Sequence, residues 1–327
     1  MGAIIPIKQL EERADFFAGA ALSAATRRAY QTDWQAFKEF CDNHELEPLP
    51  ATPETVCLFL SDMADRGRAV STITRRCTSI TAVHEHFRHL SPVKDAKVAR
   101  VLRGIRRTCG EPQRRSKALS WADLKMIVRQ TDMTMIGIRD AALISLGWAS
   151  AMRRSELVAL NIGDCSTDEN GIIITIRRSK TDQEGKGYQI GIPRAAEGFC
   201  PVDKVTRWIE RMSGEKTLPP EAPLFPNIGR LGRGKWWWQP SGRLADRMVS
   251  IIVKQYCRLA GLPYEHYSAH SLRRGLATAA GAAKVPERII SRHTRHRSVE
   301  VLRGYIDDGM IWQENPLSAI YPSSSGL

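Results

Sequence analysis

Near the C-terminus of this 327-residue chain stand His270-Ser271-Leu272-Arg273, then His296, then Tyr305 nine residues later. Far upstream, Ala151-Met152-Arg153-Arg154-Ser155-Glu156-Leu157 adds further arginines. Arginines, histidines and a late tyrosine together suit the holding of a phosphodiester while a phenol oxygen attacks it. Without a metal, the pentacoordinate transition state spreads negative charge over the non-bridging oxygens, and fixed cations must meet it there. Arginine stays charged and donates in a planar fork. Arg153 and Arg273 are the candidate clamps, with Arg154 an equal candidate on composition. A phenol, with a pKa of about 10, needs a base before it becomes a nucleophile. The leaving sugar oxygen needs a proton in return. His270 and Arg273 share one face if the segment is helical. Each residue has a plainer reading alone: a surface arginine, a basic patch at 292–297, a core tyrosine. The weight lies in the set and its order.

The bulk numbers fit a polyanionic partner. Net charge is +13 and the pI about 9.6. The charge is concentrated rather than spread. Residues 1–65 carry 5 Lys+Arg against 11 Asp+Glu, whereas residues 66–117 carry 14 against 3. Such a footprint suits nucleic acid. Within and beside it, Arg75, Arg76, Arg103, Arg106, Arg107, Arg114 and Arg115 are candidate DNA contacts. The 7 cysteines show no CxxC or Cys/His ligand spacing, so neither a metal nor a disulfide framework is expected. Their odd number suits a reducing, cytoplasmic setting. No apolar run reaches membrane-span length, and no signal peptide or lipid-anchor motif is read.

Along the chain, Tyr30, Trp34, Phe37 and Phe40 recur at helical spacing. Thr52-Pro53-Glu54 reads as a cap and first-turn proline opening a second helix. Ser71 is expected to cap a third, and a basic helix is expected from Val93 to Arg107. The polar, Gly/Pro-broken stretch 108–118 reads as a linker between an N-terminal helical domain (1–107) and a C-terminal domain (119–327). Beyond it, Ser120 caps a helix and Ile138 to Ala151 forms a buried one. Ile172 to Ile176 is a β-branched run after Asn170-Gly171, with Tyr188, Ile190 and Ile192 alternating as its partner. Lys180 would then lie in the hairpin loop. Trp236-Trp237-Trp238 is expected in a loop.

Taken together, Arg153, loop Lys180, His270-x-x-Arg273, and His296 nine residues before Tyr305 form a pattern. It resembles the tyrosine recombinase (phage integrase) family from about residue 20 onward, in a Cre-like layout. The segments 48–56 and 65–73 are similar to that layout's helical N-terminal domain. The resemblance implies a mainly α fold with a small β-sheet in the catalytic domain, forming a two-domain C-shaped DNA clamp. It implies that Tyr305 attacks the scissile phosphate, giving a 3′-phosphotyrosyl enzyme. Arg153 and Arg273 would hold the non-bridging oxygens, assisted by His296. Lys180 would protonate the 5′ leaving oxygen, His270 would serve as acid and base toward the tyrosine, and Glu156 would be a structural acidic partner. It implies double-stranded DNA with an inverted-repeat site, a homotetramer, a tail at 312–320 reaching a neighbouring subunit, no membrane partner and no cofactor.

Two departures stand out. The family commonly has Leu-Gly-His or Gly-Gly-Trp where this chain has Thr294-Arg295-His296, and Gly-Leu where it has Ala151-Met152. His293 is a rival to His296, but lies twelve residues before Tyr305. A non-catalytic DNA-binding regulator would leave Tyr305 dispensable. A type IB topoisomerase would share the chemistry but not the helical N-terminal domain and tail.

Overall fold

The computed structural model describes residues 23–110, 116–177, 187–195, 199–214, 217–230, 236–296 and 298–310. The chain divides into two compact units, residues 1–113 and 114–327, and the division point lies within the stretch 108–118.

The first unit holds helices α1 (Ala24–Asn43), α2 (Pro53–Asp65), α3 (Val70–His86) and α4 (Ala96–Thr108). Ser23 caps α1 by accepting from the Thr26 amide, and Thr52 does the same for α2 through Thr55. Phe37, Phe59, Leu60, Met63, Ile73 and Ile80 interdigitate as its core. Ser71 does not cap α3. The cap position falls two residues earlier, at Ala69, and the helix lacks a side-chain cap. The expected basic helix is split into a short 3₁₀ turn at Pro92–Lys94 and α4, because Asp95 intervenes as the cap. α4 is amphipathic: Val98 and Ile105 are buried, while Arg103, Arg106 and Arg107 are exposed.

In the second unit, α5 (Trp121–Arg129) begins behind the Ser120 cap, as the sequence indicates. α6 (Met135–Ala149) is buried at every residue from Gly137 to Ala149, so it forms the centre of this unit. α7 (Arg154–Ala159) follows. Strands β1 (Cys165–Thr167), β2 (Gly171–Ile176) and β3 (Tyr188–Pro193) form an antiparallel sheet in sequential order. Ile172 faces Ile192, Ile174 faces Ile190 and Ile176 faces Tyr188, the predicted pairing. After α8 (Pro201–Ser213), β4 (Pro226–Arg230) pairs with β5 (Trp236–Arg243). Trp236 to Trp238 therefore lie on a strand and not in a loop, since their backbone pairs with Ile228 to Arg230.

The unit closes with α9 (Asp246–Leu259), α10 (Ala269–Ala282), α11 (Glu287–Thr294) and α12 (Val299–Met310). Two glycines let α10 approach its neighbours. A Cβ at Gly275 would collide with the Leu119 carbonyl oxygen and meet Trp148 Nε1 at 2.7 Å. One at Gly281 would meet Ile306 Cα at 2.9 Å. That second close approach seats α12, and with it Tyr305, against α10. No described helix is long and apolar enough to cross a membrane.

Candidate active site

α10 supplies the first two site residues. Ser268 caps it and accepts from the His270 amide, which fixes the first turn. His270 and Arg273 follow on one face. Tyr305, on α12, is 6% exposed and packs on Ala277, Ile290 and Leu302. Its Oη lies 2.9 Å from His270 Nε2. The His296 ring stands 5.6 Å from the tyrosine ring, and the Arg274 guanidinium lies over that ring at 5.4 Å.

Arg273 is 2% exposed. Its Nη1 donates to the Ala151 carbonyl at 2.6 Å and its Nε donates to His296 Nε2 at 3.3 Å. Its Nη2 is buried with no hydrogen-bond partner among the described residues. A buried charged donor without a partner is costly unless an acceptor arrives. Burial, then the nearby Arg153 and Arg295 charges, pull its pKa down to about 10, so it remains a cation at neutral pH.

Arg153 is the N-cap of α7, and Glu156 sits one turn in. Glu156 Oε2 accepts from the Arg153 amide at 3.0 Å and Oε1 accepts from Arg153 Nη1 at 2.7 Å. The carboxylate also receives Arg295 Nη2 at 3.1 Å, and it is 4% exposed. Arg154, the compositional rival, turns away to pair with Asp246 at 3.0 Å on a half-exposed surface. The structure thus brings Arg153 to the cluster, not its neighbour.

The hydrogen bonds around His296 fix its tautomer. Thr294 Oγ1 donates to the Ile290 carbonyl, so it is free to accept from His296 Nδ1 at 2.6 Å. With the proton on Nδ1, Nε2 accepts from Arg273. Burial and the charges of Arg273, Arg153, His270 and Arg295 push the His296 pKa down to about 3, so the ring is neutral. In this tautomer Nε2 is an acceptor. Donating to a phosphate oxygen requires the proton to move to Nε2. His270 is also held below its ordinary pKa, by partial burial and then by Arg273, Arg274 and Arg153. Because the residue is exposed on its outer side, the arginine charges are the firmer cause. A neutral His270 has a lone pair to accept a phenol proton. His293 donates through Nε2 to the Ala149 carbonyl at 2.7 Å, and burial lowers its pKa. It anchors α11 to the end of α6.

Arg75 and Arg76 are directed inward at their tips: both reach the buried Asp33 carboxylate, at 3.0 and 3.6 Å, and Arg76 also lies over Phe59. Lys180, Arg114, Arg115 and the tail at 312–320 lie outside the described residues. Sequence reasoning missed the parts played by Thr294, Arg274 and Arg295. Only Arg295 left a signal, an arginine standing where a glycine is common.

The sequence profile of the phage integrase family matches residues 117–310. A protein of Selenomonas ruminantium described as an integrase/recombinase xerD homolog is 36% identical over 302 residues, covering 90% of this chain and 85% of that protein. A tyrosine recombinase of Synechococcus elongatus is 28% identical, covering 87% and 85%. Among solved structures, a lambda integrase dimer bound to a COC′ core site superposes with a TM-score of 0.60 at 16% identity, covering 93% of this chain and 96% of that one. XerH recombinase bound to palindromic difH substrate, in a post-cleavage complex, superposes with a TM-score of 0.57 at 17% identity, covering 82% and 71%. At those identities the superpositions speak for the fold, and the sequence matches speak for descent: the chain belongs to the phage integrase family of tyrosine recombinases, site-specific enzymes that cleave and rejoin DNA.

Proposed function

We propose that this chain exchanges DNA strands through a covalent link to Tyr305, and that the cluster around Tyr305 is the active site. The contact that carries the reading is the 2.9 Å separation of Tyr305 Oη and His270 Nε2. His270 accepts the phenol proton as Oη attacks phosphorus. The bond to the 5′ oxygen breaks, leaving a 3′-phosphotyrosyl enzyme and, after protonation by Lys180, a free 5′-hydroxyl. Arg273 Nη2 and Arg153 meet the charge that develops on the non-bridging oxygens. His296 adds a donor once its proton moves to Nε2. The phosphotyrosine retains the energy of the broken phosphodiester, so a second 5′-hydroxyl reverses the step without nucleotide hydrolysis or metal. In two rounds this passes through a Holliday junction, in a homotetramer on paired inverted-repeat sites, with the tail at 312–320 linking subunits. DNA-bound relatives with this fold support the reading of DNA as substrate. The exposed arginines of α4 and the basic 108–118 segment are the proposed backbone contacts.

Covalent capture tests it. Purified protein and its Tyr305→Phe variant are incubated with fragmented genomic DNA, and protein-linked fragments are isolated under denaturing conditions and sequenced. We expect a discrete site enriched with the native protein alone. An undiminished adduct in the variant would move the nucleophile elsewhere.

A further inference from the structure

Arg295 has a backbone conformation that arginine rarely takes. It ends α11 at φ 57° and ψ 45°, the left-handed region that suits glycine. A non-glycine residue held there points to a contribution from its side chain. That side chain is 8% exposed and reaches inward, not to solvent. Nη2 binds Glu156 Oε2 at 3.1 Å, and the guanidinium stands 5.9 Å from the Tyr188 ring centroid. Tyr188 is itself tied down, its hydroxyl donating to the Arg292 carbonyl at 2.7 Å. Nε and Nη1 of Arg295 are buried without a partner among the described residues.

The consequence is one of charge. Arg153 and Glu156 alone form a neutral pair, joined at 2.7 Å, and a neutral pair offers an incoming phosphate little field. With Arg295 on the second carboxylate oxygen, the trio Arg153–Glu156–Arg295 carries a net positive charge. We infer that Arg295 is a positioning residue of the cleavage reaction: it acts as the second counter-cation of Glu156, so that the Arg153 charge stays uncompensated and aimed for the scissile phosphate. The inference rests on the reading of the Tyr305 cluster as the active site. The depressed pKa of Arg273, to which Arg295 contributes after burial and Arg153, is consistent with its charge being felt inside the site.

The test is a double-mutant cycle read by single-turnover adduct formation on a nicked DNA duplex carrying a captured site. Its members are Arg295→Gln, Arg295→Lys, Glu156→Gln and Arg295→Gln with Glu156→Gln. Arg295→Gln keeps the backbone demand and removes the charge. We expect it to slow adduct formation by about tenfold or more, with DNA affinity and melting temperature little changed. Lysine should recover much of the rate. In the Glu156→Gln background, where there is no carboxylate to balance, Arg295→Gln should add little further loss. Two results overturn the inference: full additivity of the two substitutions, or a rate loss in Arg295→Gln that a matching fall in melting temperature explains. If the native protein forms no Tyr305-dependent adduct, the active-site reading fails instead, and the two failures are distinguished.

Discussion

Arg273 is the residue on which the phosphate site turns. Of its three donor atoms one serves a carbonyl, one a histidine, and the third is buried without a partner among the described residues. Lysine offers a point charge in place of a fork, and its stem cannot serve Ala151 and His296 together. Arg273→Lys should therefore keep DNA binding within a few-fold while cutting single-turnover cleavage by about a hundredfold. Equal cleavage by both proteins would remove Arg273 from the reaction. The same residue shows what the sequence could disclose. The spacing His270-x-x-Arg273 is legible because a helix puts those positions on one face. Composition alone left Arg153 and Arg154 equal and only the family resemblance chose Arg153; the physical reason lies in which side chain Glu156 captures and which one Asp246 draws away. Arg295 showed only as an arginine where a glycine is common, and its role was hidden. A left-handed cap and a burial shared by α7, β3 and α11 are tertiary facts.

At the scale of elements, Tyr305 reaches His270 because α12 lies close on α10. Gly281 permits that approach, with Ile306 directly opposite. Gly281→Ala forces the helices apart by a few tenths of an ångström or more, at a cost of about 1–3 kcal/mol. The expected outcome is lower thermal stability together with slower cleavage, and noncovalent DNA binding that survives, as gel-shift and adduct assays on one preparation will show. Unaltered cleavage would mean that the α10–α12 spacing does not set the tyrosine. Elements with local signals were legible: the Thr52-Pro53 start of α2, and the isoleucine ladder of β2 and β3. The strand at Trp236 was not. Its pairing with β4 is bracketed by glycine and arginine, which mask the alternation a strand displays. Asp95 likewise divided the basic helix by offering a better cap than a helix interior allows.

For the whole molecule, one buried and two half-buried histidines set an acid limit on stability. His84 in the first unit and His293 and His296 in the second all have folded pKa values below the unfolded value, with burial the leading cause. The unfolded chain therefore binds more protons as pH falls below about 6.5. Stability is fully present above that pH and declines as pH falls toward the folded values, by at most about 1.4 kcal/mol per pH unit for each histidine. Melting curves should move to lower temperature between pH 7 and 5.5. A flat or rising melting temperature over that window would show that these rings are protonated in the folded state. The net charge of +13 makes the complementary demand that DNA affinity fall steeply with salt.

If Tyr305 becomes covalently joined to DNA, the link itself can be located. The trapped protein–DNA complex is digested with nuclease and protease, and the peptide that retains a nucleotide is sequenced by mass spectrometry. We expect a nucleotide on Tyr305, joined through its 3′-phosphate. A nucleotide on Tyr188, on any other residue, or joined through a 5′-phosphate, would contradict it.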